Sequence, residues 1–227
     1  MDELLESEYL KARYEEIDSE ESMGTAEPGL DEEKAEAVPE NGTTHVSIID
    51  SYGNAASMTS SVEAAFGSFH MVNGFLLNNQ LTDFNEEPVN EDGAQVANRV
   101  EGAKRPRSSM APVLVFDEAG NVEMSLGSPG GSLIIQYVVK ALVQMIDWGV
   151  GPQEAVASMN FGALNENETA IGGEYPADLN ELAVGLEEKG HAVNDEPMTS
   201  GLGALVISDG EIRGGADPRR EGVVLGE

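Results

Sequence analysis

Cysteine is absent from this chain of 227 residues, which excludes disulfides and thiol catalysis and leaves the redox compartment open. Basic residues are scarce: 12 Lys and Arg stand against 42 Asp and Glu, a formal net charge of -30. A surface of that sign repels phosphate backbones and anionic headgroups, so neither nucleic acid nor a membrane is an expected partner. The acids run along the whole chain, and only residues 1–42 are grossly enriched. That spread fits a surface adapted to high salt better than one disordered acidic segment. No apolar run approaches the length of a membrane span. The start, Met1-Asp2-Glu3-Leu4, has neither region of a signal peptide. A soluble protein is expected, its compartment undetermined.

Several motifs are missing too. GxSxG does not occur, so a serine-triad hydrolase has no support. GxxxxGK[ST] does not occur either, which weakens any phosphate-loop reading. His45, His70 and His191 are scattered without metal-ligand spacing. Each is read as structural, and neither a metal nor a cofactor is expected.

Hydrophobic residues make up 40% of the chain, enough for a sizeable core. Residues 1–17 read as a helix, with Leu10, Tyr14 and Ile17 on one face. Asp18 to Glu40 reads as a linker, with nine acids against Lys34 alone and Pro28, Gly29 and Pro39 as breakers. From Thr43 the texture is globular. Strand-like runs at 43–50 and 55–61 flank the turn Ser51-Tyr52-Gly53-Asn54, a hairpin signal. A short strand, Gly74 to Leu77, leads into Asn78-Asn79-Gln80, and a polar loop runs from about 85 to 107. Pro112–Phe116 and Val122–Leu126 form a second hairpin around Asp117-Glu118-Ala119-Gly120. Helices are expected at Leu133–Trp148, 152–159 and 177–189, and a last strand pair around Ser208-Asp209-Gly210. Hairpins with helices after them, rather than βαβ alternation, predict an α+β fold of antiparallel sheets covered by helices.

Thr43 opens the first strand directly after Asn41-Gly42. A Thr hydroxyl needs a base beside it to attack. A cut after Gly42 would supply one, because the freed α-amino group, with an ordinary pKa of roughly 7.7–8.0, suits proton transfer near neutral pH. A plain turn before a strand is the commoner reading of the same residues. Gly127-Ser128-Pro129-Gly130-Gly131-Ser132 lies between a strand and a helix, so its N–H groups converge at a helix N-terminus. An oxyanion hole at Gly130 and Gly131 is one reading, and a helix-starting turn is the other. Gln80 and Asp83 could hold an ammonium group or merely cap a turn. Lys104-Arg105-Pro106-Arg107-Ser108-Ser109-Met110 is the one basic spot, and Ser108 and Ser109 could offer hydroxyls to a carboxylate.

In order, TTHVSIIDSYGNAASMT, FLLNNQLTDF, KRPRSSMAP, GSPGGS and ADPRR resemble the small catalytic subunit of the γ-glutamyltransferases (glutathione hydrolases), a family of N-terminal-nucleophile hydrolases. The resemblance covers about residues 43–220. It implies an αββα sandwich and a precursor that cuts itself before Thr43, the nucleophile. It makes Ser61 a second hydroxyl beside the nucleophile and gives Glu63, Gln80 and Asp83 to the γ-glutamyl α-amino group. Ser108 and Ser109 fall to the α-carboxylate, and Gly130 and Gly131 to the oxyanion hole. Water or an amino acid would resolve the acyl-enzyme. Ser61 and Glu63 stand where well-known members carry Thr and Asn. Ser keeps the hydroxyl, whereas Glu63 adds a charge, which bears on donor selectivity. The resemblance also implies a large subunit as partner. Residues 1–42 are similar to its tail and 43–227 to the small subunit, so a longer precursor or a split gene is expected.

Overall fold

Turn chemistry sets the strand pairing. In a computed structural model, which describes residues 2–27, 29, 42–165, 168–172, 174 and 176–226, two hairpins close on the same five-residue device. Asp50 accepts from the backbone N–H groups of Tyr52 and Asn54 and from the Asn54 side chain. Asp117 accepts likewise from the backbone and side-chain amides of Asn121. Gly53 and Gly120 take the positive φ these turns require, 84° and 87°. Hydrogen bonds to the ionised form hold both carboxyls below the usual range, those from the Asn54 and Asn121 side chains first.

In chain order the elements are α1 (Ser7–Tyr14), β1 (Thr43–Ile49), β2 (Ala55–Ser61), β3 (Met71–Val72) and β4 (Phe75–Leu76). Then come β5 (Val113–Phe116), β6 (Val122–Gly127), α2 (Ile134–Ile146) and α3 (Pro152–Ala157). The order ends with β7 (Phe161–Gly162), β8 (Thr169–Gly172), α4 (Pro176–Glu188), β9 (Val193–Glu196), β10 (Gly203–Ser208) and β11 (Glu211–Ala216). β5, β6, β10 and β11 make one antiparallel sheet in the order β11-β10-β6-β5. β1 and β2 form a hairpin laid against that sheet, and α2 and α3 cover the sheet's other face. The result is an α+β fold with adjoining β layers and a helical layer, as expected.

The core lies between the helices and the four-stranded sheet. Ile134, Tyr137, Val138, Ala141 and Met145 of α2 and Ala155 and Val156 of α3 pack on Leu126, Met198, Leu202 and Ala204. Each large side chain so buried contributes about 1.5–3 kcal/mol. The interface between the β layers differs in kind. Its inward residues on β1 and β2 include Thr43, His45, Ser47, Ser57, Thr59 and Ser61, and hydroxyls bridge the layers. Ser57 donates to the Leu126 carbonyl at 2.9 Å, and Ser125 donates to the Ala56 carbonyl at 3.0 Å. The outward face carries Val46, Ile48 and Met58, exposed at 39%, 53% and 56%. This hairpin is polar within and apolar without, the reverse of a surface strand pair.

Three expectations need correction. The N-terminal α-helix runs only from Ser7 to Tyr14, so Ile17 lies beyond it, and Leu10, Tyr14 and Ile17 are all exposed. The strand at Gly74–Leu77 is Phe75–Leu76, paired with Met71–Val72 across Asn73-Gly74, whose φ values of 52° and 89° suit a tight hairpin turn. The sheets are not wholly antiparallel: β8 and β9 pair in parallel, joined through α4 in a βαβ unit. Much of the expected linker, Pro28 and residues 30–40, lies outside the described residues.

Candidate active site

Antiparallel register brings the first hydroxyls together. Thr43 opens β1 and pairs with Ser61, the last residue of β2. Both side chains therefore point to the same face of the ladder. The buried Thr43 Oγ1 donates to Ser61 Oγ at 2.9 Å, and the same Ser61 oxygen accepts the Glu63 N–H at 2.8 Å.

Beyond Ser61 the chain leaves the ladder sharply. Glu63 is buried and takes a φ of 70°, a left-handed conformation uncommon for this residue type. Asn79 pins the turn: its Oδ1 accepts the Ala64 N–H at 3.0 Å, and its own N–H donates to the Val62 carbonyl at 3.2 Å. The next residue, Gln80, donates from Nε2 to Glu63 Oε2 at 3.0 Å. Thr43, Ser61, Glu63 and Gln80 thus form one connected group. Asp83 ends the short 3-10 turn that begins at Gln80, and its backbone carbonyl accepts from Asn98. Ser108 is exposed and its Oγ accepts the Met110 N–H, while Ser109 is half-buried ahead of β5. Among the described residues, no hydrogen bond joins the side chains of Asp83, Ser108 or Ser109 to the Thr43 group.

The glycine-rich turn reaches the same end of the layers. Gly127 closes β6 opposite Gly203, and a Cβ on Gly127 would lie 2.3 Å from the His45 ring. His45 stands two residues after Thr43 on the same face, so the turn continues from β6 toward the Thr43 end of β1. Gly130 and Gly131 have φ values of 137° and 61°, and a Cβ at Gly130 would meet the Tyr137 ring at 2.6 Å. Two successive glycines in conformations other residues avoid are more than a helix start demands. Ser128, fully buried, accepts the Gly201 N–H and so ties the turn to the segment before β10.

His45 is held between two hydroxyls of the hairpin. Its ring nitrogens meet Thr59 Oγ1 at 2.9 Å and Ser47 Oγ at 3.0 Å, and burial pushes its pKa down to about 4. The unfolded chain, with a pKa near 6.5, binds the proton more readily. This group's contribution is complete above pH 6.5 and is lost as the pH falls toward about 4. Urea midpoints measured between pH 7 and pH 4 should fall less steeply in His45→Asn than in the parent. Parallel curves would show that the ring is hydrated in the fold.

One cluster escaped the sequence reading. Lys140 is buried, donates to the Ser158 carbonyl and Asn160 Oδ1, and is driven down to about 8 by burial and then by the Arg219 charge. Asn160 donates to Ser200 Oγ, which donates to the Asp217 carboxylate; Arg219 binds that carboxylate at 2.9 Å and Glu174 at 2.6 Å. Asp217 and Arg219 belong to the ADPRR stretch, the only advance signal. Among the described residues no group of His, Asp or Glu is arranged to hold a metal ion.

The match to the family model for gamma-glutamyltranspeptidase runs over residues 1–227. The chain belongs to the gamma-glutamyltranspeptidase family. It is 34% identical to the glutathione hydrolase proenzyme of Escherichia coli K12 over 93% of its own length and 37% of that protein's. The chain therefore spans well under half of that curated relative. Among solved structures it is similar to the gamma-glutamyltranspeptidase of Pseudomonas nitroreducens complexed with L-DON, with 31% identity and a TM-score of 0.69. That likeness covers 81% of this chain and 99% of that one. The fold extends to the cephalosporin acylase of Bacillus halodurans, at a TM-score of 0.78 and 23% identity over 99% of this chain and 39% of that one. No described helix is long and apolar enough to cross a membrane.

Proposed function

We propose that this chain supplies the catalytic half of an enzyme that hydrolyses or transfers γ-glutamyl amides, glutathione among them. The observation that carries the reading is the buried Thr43 hydroxyl, bonded to Ser61 at the mouth of the β1–β2 hairpin. Scission between Gly42 and Thr43 would free the α-amino group as the base for that hydroxyl. Thr43 would attack the γ-carbonyl, the N–H groups of Gly130 and Gly131 would bind the oxyanion, and water or an amino acid would release the acyl group. Glu63, Gln80 and Asp83 would receive the donor's ammonium, and Ser108 and Ser109 its α-carboxylate. A carboxylate at Glu63, already oriented by Gln80, favours a positively charged donor end. The E. coli relative is named a proenzyme, which supports processing, although processing of this chain is our inference.

A large-subunit region is the proposed partner. Val46, Ile48 and Met58 give the hairpin an apolar outer face that an added layer would cover, which would complete the αββα sandwich. On this reading residues 1–42 are the tail of that region.

Comparing γ-glutamyl-anilide with glutaryl-anilide tests the donor class, since the two differ in the α-ammonium. We expect the assembled enzyme to prefer the γ-glutamyl compound by about 10⁴-fold, the scale lost when buried polar groups go unpaired. Equal turnover would assign the site to an acylase acting on another side-chain amide.

A further inference from the structure

The turn that follows β2 also reaches across the ladder to the peptide bond before Thr43. Val62 donates its backbone N–H to the Gly42 carbonyl at 3.0 Å. Register explains the contact: Thr43 pairs with Ser61, so Gly42 faces Val62 in the next position. Glu63 then turns into its left-handed conformation and the ladder goes no further. The first donor after β2 is thus aimed at the carbonyl of the bond that precedes Thr43.

Gly42 fits this place because it lacks a side chain. A Cβ there would stand 2.6 Å from the Glu63 carbonyl oxygen and 2.8 Å from that of Ala64. Both obstacles are backbone, in a turn fixed by Ser61, Asn79 and the Glu63 conformation. Neither can swing aside as a flexible side chain would.

We infer that the Val62 N–H is the oxyanion donor for self-cleavage of the Gly42–Thr43 bond, and that glycine at 42 lets the carbonyl reach it. The inference rests on the processing proposed above. Thr43 Oγ1 and the carbonyl carbon of Gly42 belong to adjoining residues, so attack closes a five-membered ring. The C–Oγ bond forms and negative charge gathers on the Gly42 oxygen, where the Val62 N–H already points. The C–N bond breaks as the proton lost from Oγ is taken up by the Thr43 nitrogen, which becomes the free amine. Water then hydrolyses the ester, giving its hydroxyl to the Gly42 acyl carbon and a proton to Oγ. This oxyanion differs from the one formed during turnover, which is assigned to Gly130 and Gly131, so one hydroxyl would be served by two sets of donors at two stages.

The test is the rate of self-cleavage in the full precursor, followed by intact mass. Replacing Val62 with its α-hydroxy-acid analogue swaps the N–H for an ester oxygen and keeps the side chain. Cleavage should slow by about 100-fold, the usual loss for one oxyanion donor. Gly42→Ala should slow it comparably, and Val62→Ala, which keeps the N–H, should cleave at nearly the parent rate. A parent rate in the ester analogue, or an equal loss in Val62→Ala, would overturn the assignment. Cleavage that persists in Thr43→Ala would instead defeat the nucleophile reading on which it rests, so the two failures are distinct.

Discussion

Thr43→Ala should leave the precursor uncut and lower γ-glutamyl turnover by at least about 10⁴-fold, the scale on which an enzyme depends on its nucleophile. The loss should not come from unfolding. Among the described residues the substitution removes the hydrogen bond from Oγ1 to Ser61, with a net contribution of about 1 kcal/mol. The β1–β2 ladder and the hydroxyl bridges from Ser57 and Ser125 do not involve the altered atom. Intact mass and anilide turnover, measured on the same preparation, check both halves. Thr43→Ser keeps the oxygen and should retain both activities at reduced rates, because the missing methyl leaves χ1 freer to leave the attacking rotamer. A Thr43→Ala protein that still cleaves or turns over would require another nucleophile.

The part of the site legible in the sequence is the part set by local turns. The turn at Ser51–Asn54 implies the pairing of 43–50 with 55–61, and the resemblance set Ser61 beside Thr43. The terminal pair was legible because Asp209-Gly210 can adopt the positive φ values, 52° and 79°, of a two-residue hairpin turn. Gln80 reached Glu63 for a less legible reason. The chain between them doubles back through β3 and β4, strands of two residues each, too short for any alternation to register.

Long-range parallel pairing was beyond reach. β9 reads Val193-Asn194-Asp195-Glu196, which resembles a surface loop, and its partner β8 precedes a helix of 13 residues. The N-terminal helix was read too long for the opposite reason. Leu10, Tyr14 and Ile17 have helical spacing, but spacing alone supplies no surface to pack on, and all three are exposed in the described structure. The polar cluster around Asp217 was obscured by its composition, since charges beside Gly and Pro look like an exposed tail. Only the fold brings Glu174, Ser158 and Ser200 around them.

Asp217→Ala should be the most destabilising single change within that cluster. The carboxylate is buried at 2% exposure and serves four donors: the Ser200 hydroxyl, the Leu202 N–H, and the Arg219 N–H and guanidinium. Its removal leaves those donors short of an acceptor and strips one carboxylate from a guanidinium whose side chain is only 6% exposed. Nearby Lys140, also buried, loses a charge that favours its ammonium form. Breaking a buried pair from one side costs about 3–5 kcal/mol, and for a domain of this size that is a drop of roughly 6–20 °C in melting temperature. Calorimetry of the assembled enzyme at neutral pH measures it. Asp217→Asn retains an acceptor but turns an amide toward donors, so its loss should be smaller yet still several degrees. The damage should also reach turnover, because Gly201 lies between Ser200 and Leu202 and its N–H holds Ser128 at the base of the Gly130-Gly131 turn. A melting temperature within about 2–4 °C of the parent, the equivalent of the roughly 1 kcal/mol of a surface ion pair, would mean that water reaches Asp217 and that the turn is held by other contacts.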